Sequence, residues 1–493
     1  MRQLLIIFSV ILLTFLLFNS CKKEEFETGA VNLEFSSDTI IFDTVFTSVG
    51  SATQVFTVYN TGNKAVKISS IRLAKGDNSN FRLNVDGLPG KSFNDIEIGA
   101  KDSLFIFVEV TIDPNNLNTP MIVTDSILFS SNGFQQDIDL VAWGQDAYFH
   151  RAPPNSKIAP FFLLTCNETW AKDKPHVIYG YAMVDSACSL TINEGTNVFL
   201  HPGSGIIVLN SGTILVNGTK QNNVTFQGDR LGADFKEIPG QWDRIWLSNI
   251  NLHTNIISPG AKNSSISYAV IKNGTIGLLV DTAFDGDMTH LTLKLENTII
   301  KNMSSYALAL RGSRVNAYNC VFANCGAQTT NILYGGNYNF YHCTFANFWN
   351  NGQRLDPAVT LNNYFDVIVR PLNAYFGNSI IYGNNDNELG LDSFPTGNQF
   401  GFRFDHTLIK VENSFPTSNP SRYISIIKAF NQTNDPHFVD VYNNNYQIDS
   451  LNSPAIDAGD INITLVNSLL DFDILGTSRP QRNGPDLGAY ERQ

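Results

Sequence analysis

A repeat of about two dozen residues most strongly constrains the fold of this chain. In each copy the second residue, which we call the anchor, is small or β-branched and begins a short apolar run. The copies are Tyr268–Asn273, Asn297–Asn302, Asn319–Asn324, His342–Asn347, Asn378–Gly383 and His406–Lys410. Equivalent anchors lie 29, 22, 23, 36 and 28 residues apart. Short strands at this spacing, with no helical periodicity between them, predict a solenoid of parallel strands in which the longer spacings add loops.

The third residue of each strand, with the anchor counted as the first, forms an apolar column along the repeat. It is occupied by Ile271, Ile300, Phe322, Phe345, Ile381 and Ile409. A single coil cannot bury its own apolar face, whereas stacked coils bury one another. We therefore predict that these side chains form one continuous stack in the interior of the solenoid.

The position before each anchor forms a second column, which is polar. It is occupied by Tyr268, Asn297, Asn319, His342, Asn378 and His406. Asn and His are enriched among non-glycine residues at positive φ, so this column predicts a tight corner with hydrogen-bonded, stacked side chains. Because His342 and His406 occupy slots that Asn fills elsewhere, we expect them to be corner residues rather than catalytic bases.

Residues 30–147 show a different pattern, of short alternating runs rich in β-branched residues. Examples are Gln54–Asn60, Ala65–Ile68 and Ser103–Val110, with turn residues between them. About seven such strands without helical periodicity predict an immunoglobulin-like β-sandwich. We expect Ile68 and Ile71 to face its interior. Such a module is more often a spacer than an active site.

The chain opens with a candidate export signal. Arg2 precedes an apolar run from Leu4 to Phe18, which is long enough for the core of a signal peptide and short for a membrane-spanning helix. The run ends at Phe18-Asn19-Ser20-Cys21, which resembles the lipobox of bacterial lipoproteins. The resemblance implies cleavage after residue 20 and acylation of Cys21, so that outer-membrane lipid is the first expected partner. Lys22-Lys23-Glu24-Glu25 resembles the tag that directs lipoproteins of the Bacteroidota to the cell surface.

The remaining domains resemble known modules as well. Thr57-Val58-Tyr59-Asn60 and the strand Val108–Pro114 are similar to Hydin-type immunoglobulin-like domains, and the repeat is similar to right-handed parallel β-helix lipoproteins. The resemblance implies an all-β chain, and it divides that chain into five parts. These are a signal peptide (1–20), a tether (21–29), an immunoglobulin-like β-sandwich (30–147), a linker (148–168) and a right-handed parallel β-helix with a C-terminal cap (169–493).

The last sixty residues resemble the terminal cap of bacterial β-helix proteins. Such a cap shields the last coil edge from pairing with another chain. We expect a buried network joining Asp457, Asp473, Arg479 and Asp486, because charges at a buried site must be paired.

Charge and cysteine content exclude two classes of partner. The net charge is −12, and no segment carries a dense run of Lys and Arg, so we expect no nucleic acid to bind. The six cysteines have no metal-ligand spacing, so we expect no metal site. Cys320 and Cys325 are close enough in sequence to form a disulfide, and buried free thiols are the alternative.

Residues suited to catalysis are sparse in the repeat. A glycosidase needs two carboxylates at a controlled separation, and the coils show little of that. Lys272, Lys301 and Lys410 occupy equivalent positions, which suggests a basic stripe or, as we prefer, solvated lysines that blunt a sheet edge. The loop from Asp281 to Asp287 offers only a weak Ca²⁺ signal, and we expect no cofactor otherwise.

Aromatic residues are the best candidates for a ligand surface. Trp242, Trp246, Tyr341 and Trp349 are candidates for stacking on sugar rings, and filling the solenoid core is their alternative use. We therefore expect a surface-anchored lipoprotein in the outer membrane with a non-catalytic binding or adhesion role toward glycans or envelope components. A polysaccharide lyase or glycoside hydrolase of the β-helix class is the alternative.

Overall fold

The computed structural model describes residues 25–47, 50–51, 53–113, 121–250, 260–282, 289–397, 399–449, 452–479 and 484–492. The chain is nearly all-β, as its sequence predicts, and it divides into two compact units between Asp146 and Ala147. The helices in the part of the chain that the structure describes are all too short or too polar to cross a membrane.

The first unit consists of two five-stranded sheets. Its strands are Glu34–Phe35, Thr39–Phe46, Gln54–Tyr59, Val66–Leu73, Phe81–Val85, Leu88–Gly90, Ser92–Ile98, Ser103–Val110, Met121–Ser131 and Phe134–Gln145. The pairings are antiparallel, except that Thr39–Phe46 runs parallel to Phe134–Gln145. Ile68 and Ile71 are fully buried between the sheets, as predicted.

The second unit is built from three ladders of parallel strands, which the chain visits in a fixed order. The first ladder comprises Tyr148–Arg151, His176–Tyr179, Asn197–Leu200, Val224–Gly228, Ala269–Lys272, Ile299–Met303, Val321–Cys325, Thr344–Asn347, Ile380–Gly383, Leu408–Lys410 and Ile427–Ala429. These strands form an eleven-stranded sheet. Each return to it completes one coil, so the unit has a β-solenoid-like architecture.

The second and third ladders share a seventeen-stranded sheet. The second comprises Phe161–Leu163, Tyr181–Val184, Gly205–Val208, Trp242–Ser248, Gly274–Asp281, Val359–Asn362 and Leu389–Asp392. The third comprises Glu168–Trp170, Ser189–Asn193, Thr213–Asn217, Ser264–Ser267, Leu293–Glu296, Leu372–Gly377, Phe400–Asp405 and Tyr423–Ile424. Two long strands, Tyr306–Tyr318 and Thr330–Tyr341, run through both ladders and join them.

The unit also contains short elements outside the ladders. Two hairpins pair Tyr364–Phe365 with Ile368–Val369 and Phe438–Asp440 with Asn445–Ile448. The α-helix Ile461–Thr464 and the 3-10 helices Ala233–Phe235, Val441–Asn443 and Ser468–Asp471 complete the set; a further 3-10 helix, Gly76–Asn78, belongs to the first unit. Strands at Tyr148–Arg151 and Phe161–Leu163 lie in the segment expected to be a linker, so that segment is part of the second unit.

The predicted interior column is confirmed. Ile271, Ile300, Phe322, Phe345, Ile381 and Ile409 are all fully buried, and each is in register with the next. They belong to one apolar cluster that runs through the unit. Stacked rings such as Phe322 and Phe345, whose centroids are 5.2 Å apart, continue the contact from coil to coil.

The predicted corner is confirmed too. Tyr268, Asn297, Asn319, His342, Asn378 and His406 all have φ between 46° and 53°. Asn319 Nδ2 donates to Asn297 Oδ1 at 3.1 Å, and Asn378 Nδ2 lies 3.0 Å from His342 Nε2. The polar column is therefore a hydrogen-bonded ladder at a left-handed backbone position.

The C-terminal segment packs along the side of the first ladder. Tyr446, Ala489 and Tyr490 pack on the outward residues Val321, Ala323 and Ala346. Further along the ladder, Ile448 and Leu487 are buried in one cluster with Ile380, Leu408 and Ala429, which belongs to the last coil. We call residues 438–449, 452–479 and 484–492 the cover.

A buried polar network fixes the cover, although its members differ from those predicted. Arg479 is fully buried and donates to Asn319 Oδ1 at 2.9 Å and to Glu491 Oε2 at 3.3 Å. Asp473 and Asp486 accept backbone N–H donors from within the cover, as expected. Asp457 contributes its backbone N–H to Asp486, and Glu491 takes the place among the carboxylates that we had assigned to Asp457.

The cysteines among the described residues fall into two groups. Cys166 and Cys188 form a disulfide, which the sequence reasoning missed. Cys320, Cys325 and Cys343 are free and buried. Of the two alternatives left open for Cys320 and Cys325, the structure shows free thiols.

Candidate functional site

The outward side of the third ladder carries a group of polar and aromatic side chains. Alternate residues of a strand point to opposite faces, so the neighbours of the buried Val315, Ala317 and Phe340 point away from the interior. We call the outward residues of four successive strands the tyrosine face. It comprises Asn316, Tyr318, Asn337, Asn339, Tyr341, Asn373, Tyr375 and Arg403.

Three tyrosine rings make a continuous aromatic surface on this face. Tyr318 and Tyr341 stack with centroids 5.4 Å apart and planes inclined by 6°. Tyr375 continues the row, with its centroid 5.3 Å from that of Tyr341. Gly377 leaves room for this, because a Cβ there would lie 2.8 Å from the Tyr375 ring. The three rings therefore form one row across three coils, in which the plane of Tyr375 is inclined by 47° to that of Tyr341.

Amide side chains line the rings on one side. Asn339 Nδ2 donates to Asn316 Oδ1 at 2.9 Å, and Asn337 pairs in register with Asn373. Asn337, Asn339 and Asn373 line a shallow groove of about 250 Å³ together with Tyr375 and Arg403. Amides offer both donors and acceptors, so the groove can hydrogen-bond to hydroxyl groups.

An ion pair closes one end of the groove. Arg403 Nη2 donates to Asp405 Oδ2 at 2.5 Å, and His406 Nδ1 lies 2.9 Å from Asp405 Oδ1. The hydroxyl of Tyr375 donates to the same carboxylate at 3.4 Å. Burial, together with the nearby Asp405 charge, raises the pKa of Tyr375 above its usual value. Tyr375 is therefore a neutral hydrogen-bonding group at physiological pH.

A second ion pair lies at the other end of the tyrosine face. Lys294 Nζ is 3.0 Å from Glu296 Oε1, and Glu296 also accepts from Ser267. Four register steps separate Glu296 from Asp405. At about 4.8 Å per strand, the two carboxylates lie about 19 Å apart.

The structure scatters the four aromatic candidates. Trp242 is 1% exposed and donates from Nε1 to the Lys272 carbonyl inside the core, so it is not available for stacking on a ligand. Trp246 is half-buried on the second ladder against Met183 and Ile207. Trp349 is half-buried in a loop after the first ladder. Tyr341 alone among the four lies on the tyrosine face.

Sequence reasoning missed Tyr318, Tyr375 and Arg403. A signal was present for Tyr318, since it directly precedes the corner residue Asn319, as Tyr341 directly precedes His342. Extending the alignment by one residue would have paired the two tyrosines. Tyr375 joins them diagonally from a neighbouring column, which a linear alignment does not reveal.

A second cavity, of about 510 Å³, lies between Glu237, Asn302 and the cover. Glu237 is held by Lys272 at 3.3 Å, by Lys301 at 3.4 Å and by the amide of Asn302. Its two oxygens are thus already engaged, so it has little capacity left to act as a base or a ligand anchor.

This geometry also corrects our preferred interpretation of the lysines. Lys272 and Lys301 have side chains only 12% and 18% exposed, and burial lowers the pKa of Lys301. Lys410 is buried and donates to the Gly383 carbonyl at 2.7 Å. They are anchored structural cations rather than solvated residues at a sheet edge.

Several sequence predictions fall outside the described residues. These are the signal peptide, the acylation of Cys21, the charged run from Lys22 to Glu24 and most of the loop from Asp281 to Asp287. Asp281 itself pairs with Arg311 at 2.9 Å. Within the described ranges, no group of three or more His, Cys, Asp and Glu side chains is placed to hold a metal ion.

Comparisons with known proteins give no family. No family model and no curated protein matches the chain. Among solved structures, a family 123 glycoside hydrolase from Clostridium perfringens aligns with TM-score 0.17 and 10% identity over 24% of this chain and 30% of that chain. The E. coli chaperone DraB aligns with TM-score 0.17 and 10% identity over 24% and 57%. The catalytic domain of a GH87 α-1,3-glucanase in complex with tetrasaccharides aligns with TM-score 0.18 and 10% identity over 72% and 81%. This chain thus spans less than a third of the first hydrolase, and TM-scores this low bear on neither fold nor function.

Proposed function

We propose that this protein binds a glycan on the tyrosine face and releases it unchanged. The observation that supports this is the row of three outward tyrosine rings beside a groove lined by amides. Sugar rings have apolar faces and hydroxyl edges, so aromatic rings next to amide groups match both parts of their surface. Each ring contact is worth about 1 kcal/mol, and a surface that spans three coils adds several of them.

The spacing of carboxylates argues against hydrolysis at this face. Glycosidases place their two carboxyl groups about 5–9.5 Å apart, whereas Glu296 and Asp405 are about 19 Å apart. A lyase using Tyr375 as its base would need a tyrosinate, and the raised pKa of Tyr375 disfavours that form. Binding without turnover is therefore our proposal, and a polysaccharide lyase or glycoside hydrolase is the competing one.

We further propose a right-handed parallel β-helix for the second unit and a Hydin-type immunoglobulin-like sandwich for the first. The fixed order of the three ladders supports the helix, and its hand follows from the strong preference for right-handed crossovers between parallel strands. The two five-stranded sheets of the first unit support the sandwich.

We also propose that the chain is a lipoprotein of the Bacteroidota type, anchored through acylated Cys21 in the outer membrane and exposed at the cell surface. The lipobox-like sequence before Cys21 and the Lys-Lys-Glu-Glu run after it support this proposal. Metabolic labelling with a fatty acid tests it. We expect label on the wild-type chain and none on Cys21→Ser, and equal labelling of the two chains would refute the anchor.

A glycan panel tests the binding proposal. The purified chain is incubated with immobilised glycans, and retention is measured together with new reducing or unsaturated ends. We expect saturable retention that Tyr341→Ala weakens, without new ends. New ends that appear in proportion to protein would establish the enzyme alternative. The absence of retention by every glycan would refute binding.

A further inference from the structure

We infer that the glycan is acidic and that its carboxylates contact Arg403 of the tyrosine face and the neighbouring cations. This inference rests on the proposed glycan-binding function and adds the class of ligand. It comes from the way in which the two ion pairs at the ends of the face are oriented toward solvent.

In both ion pairs the cation is more exposed to solvent than the carboxylate. The side chain of Arg403 is 49% exposed and that of its partner Asp405 is 7% exposed. At the other end, Lys294 is 40% exposed and Glu296 is 14% exposed. A ligand that approaches from solvent therefore meets two cations, with their counter-charges behind them.

Arg314 adds a third cation to the same surface. It is an outward, half-buried residue in register with Asn337, next to the amides that line the groove. These three cations point outward, although the whole chain has a net charge of −12. Cations that an approaching ligand meets before their counter-charges favour anionic ligands over cationic ones.

The chemistry of arginine narrows the ligand further. A guanidinium has five N–H donors in a planar fork that matches a carboxylate, and the contact with Asp405 occupies Nη2 of Arg403. The remaining N–H donors of Arg403 can therefore bind a second carboxylate. The ring of Tyr375 lies 5.8 Å from the Arg403 guanidinium carbon and stabilises this cation by a cation–π contact. A uronate residue, with a sugar ring and a carboxylate together, fits both groups.

Two forms of one polymer test this inference. Polygalacturonate and the same polymer with its carboxylates reduced to hydroxymethyl groups share a backbone and differ in charge. We expect the acidic form to be retained at least about tenfold more tightly at low salt, and the difference to shrink as salt rises. A sulfated neutral polymer serves as a third arm. Retention of the sulfated polymer equal to that of polygalacturonate would overturn the assignment of carboxylate.

Three substitutions assign the effect to this face. Arg403→Gln is expected to reduce retention of polygalacturonate about fivefold and to leave the reduced polymer unaffected. Glu296→Gln, which removes a buried carboxylate, is expected to tighten retention about twofold. A merely structural role for Glu296 would not produce tighter binding. Arg82→Gln, which removes the same charge from the first unit, is the matched control and should change nothing.

The outcomes separate this inference from the function on which it rests. If both polymers are retained equally and Tyr341→Ala weakens both, glycan binding stands and the acidic ligand is refuted. If neither polymer nor any neutral glycan is retained, the proposed function itself fails. Preference for the acidic form that Arg403→Gln does not diminish would place the acidic site elsewhere on the chain and overturn the assignment.

Discussion

Two outward surfaces of the same coils differ in whether a second layer of the chain covers them. The outward face of the first ladder bears small apolar residues such as Val321, Ala323 and Ala346, and the cover buries it. The outward face of the third ladder bears tyrosines, amides and charged pairs; its tyrosines are half-buried, and a shallow groove opens beside them. Both ladders consist of parallel strands from the same coils, so the two faces differ in their outward side chains.

This difference shows how a solenoid can use one outward face for stability and another for binding. A second layer stabilises strands that are apolar on both faces. Without it, the uncovered apolar face of several strands would promote association with other molecules. A strand with one face of polar and aromatic side chains is not stabilised by a covering layer, and it can present that face to a ligand. We therefore expect substitutions under the cover to change stability, and substitutions on the tyrosine face to change binding.

The largest effect is expected from Arg479→Ala under the cover. Arg479 is fully buried and donates to Asn319 Oδ1, Glu491 Oε2 and the Gly488 carbonyl. Its removal takes this donor from the buried Asn319 Oδ1 and Gly488 carbonyl, and it takes the cationic partner from Glu491, which keeps the Asp486 N–H, so the free energy of unfolding should fall by about 3–5 kcal/mol. Urea unfolding followed by circular dichroism measures the change.

Arg403→Ala on the open face is the matched control. Its side chain is 49% exposed and its ion pair with Asp405 is partly solvated, so the loss of stability should stay below about 1 kcal/mol. Equal losses in the two variants would show that the cover contributes no more than the open face, and the contrast drawn above would fail.

The next effect is a dependence of stability on pH that arises under the cover. His342 is completely buried, and burial followed by the nearby Arg479 charge lowers its pKa well below the usual value. The unfolded chain therefore binds a proton near pH 6.5 that the folded chain refuses, and stability is lost as pH falls below that value. The contribution of His342 to the slope should approach about 1.4 kcal/mol per pH unit. Burial also lowers the pKa of His150 and of His176 to about 4, which adds to the slope, and raises the pKa of Glu491 to about 8, which opposes it. Thermal melts between pH 7 and pH 5 measure it.

His342→Asn should change the slope by the share that His342 contributes, because Asn fills the equivalent slot in other coils and does not titrate in this range. His406→Asn is the comparison from the same column. The side chain of His406 is 24% exposed, whereas His342 is fully buried. If both variants flatten the profile equally, burial under the cover is not the cause.

Much of the second unit could be predicted from the repeat. Stacked coils require apolar side chains at regular intervals, and the corner requires residues that tolerate positive φ, so Ile300 and Asn319 were both assigned correctly. The disulfide could also have been found, since Cys166 and Cys188 are 22 residues apart, which is the length of one bare coil.

The positions of the cover and of the binding candidates could not be predicted in the same way. The contact of Arg479 with Asn319 joins residues 160 positions apart, and no periodic signal links them. Aromatic residues can occupy either an interior or a surface position. Trp242 and Tyr341 therefore looked alike in sequence, although Trp242 is buried in the core. Only the register of the strands separates them.

A smaller effect is expected from Tyr341→Ala on the open face. Tyr341 lies between Tyr318 and Tyr375, so its loss interrupts the aromatic surface at its centre. Retention of a bound glycan should weaken about tenfold, which corresponds to roughly 1.4 kcal/mol, while the melting temperature changes little. Tyr442→Ala is the control, because Tyr442 is 84% exposed but lies beside the other cavity. An equal loss in the control would show that the tyrosine face is not the site.

The smallest effect is expected where the two surfaces meet, at Gly377. A Cβ at this position would lie 2.8 Å from the ring of Tyr375 and 2.9 Å from Cγ2 of Ile463, which belongs to the cover. Gly377→Ala must therefore displace one of the two side chains. The Tyr375 ring faces the open groove and can shift outward, whereas Ile463 is 6% exposed and held by the cover. We expect glycan retention to weaken about threefold with little change in stability, because displacing one ring by a few tenths of an ångström costs less than deleting it. A loss of stability without a change in retention would mean that the cover yields first, and would place the boundary between the two surfaces on the other side of Gly377.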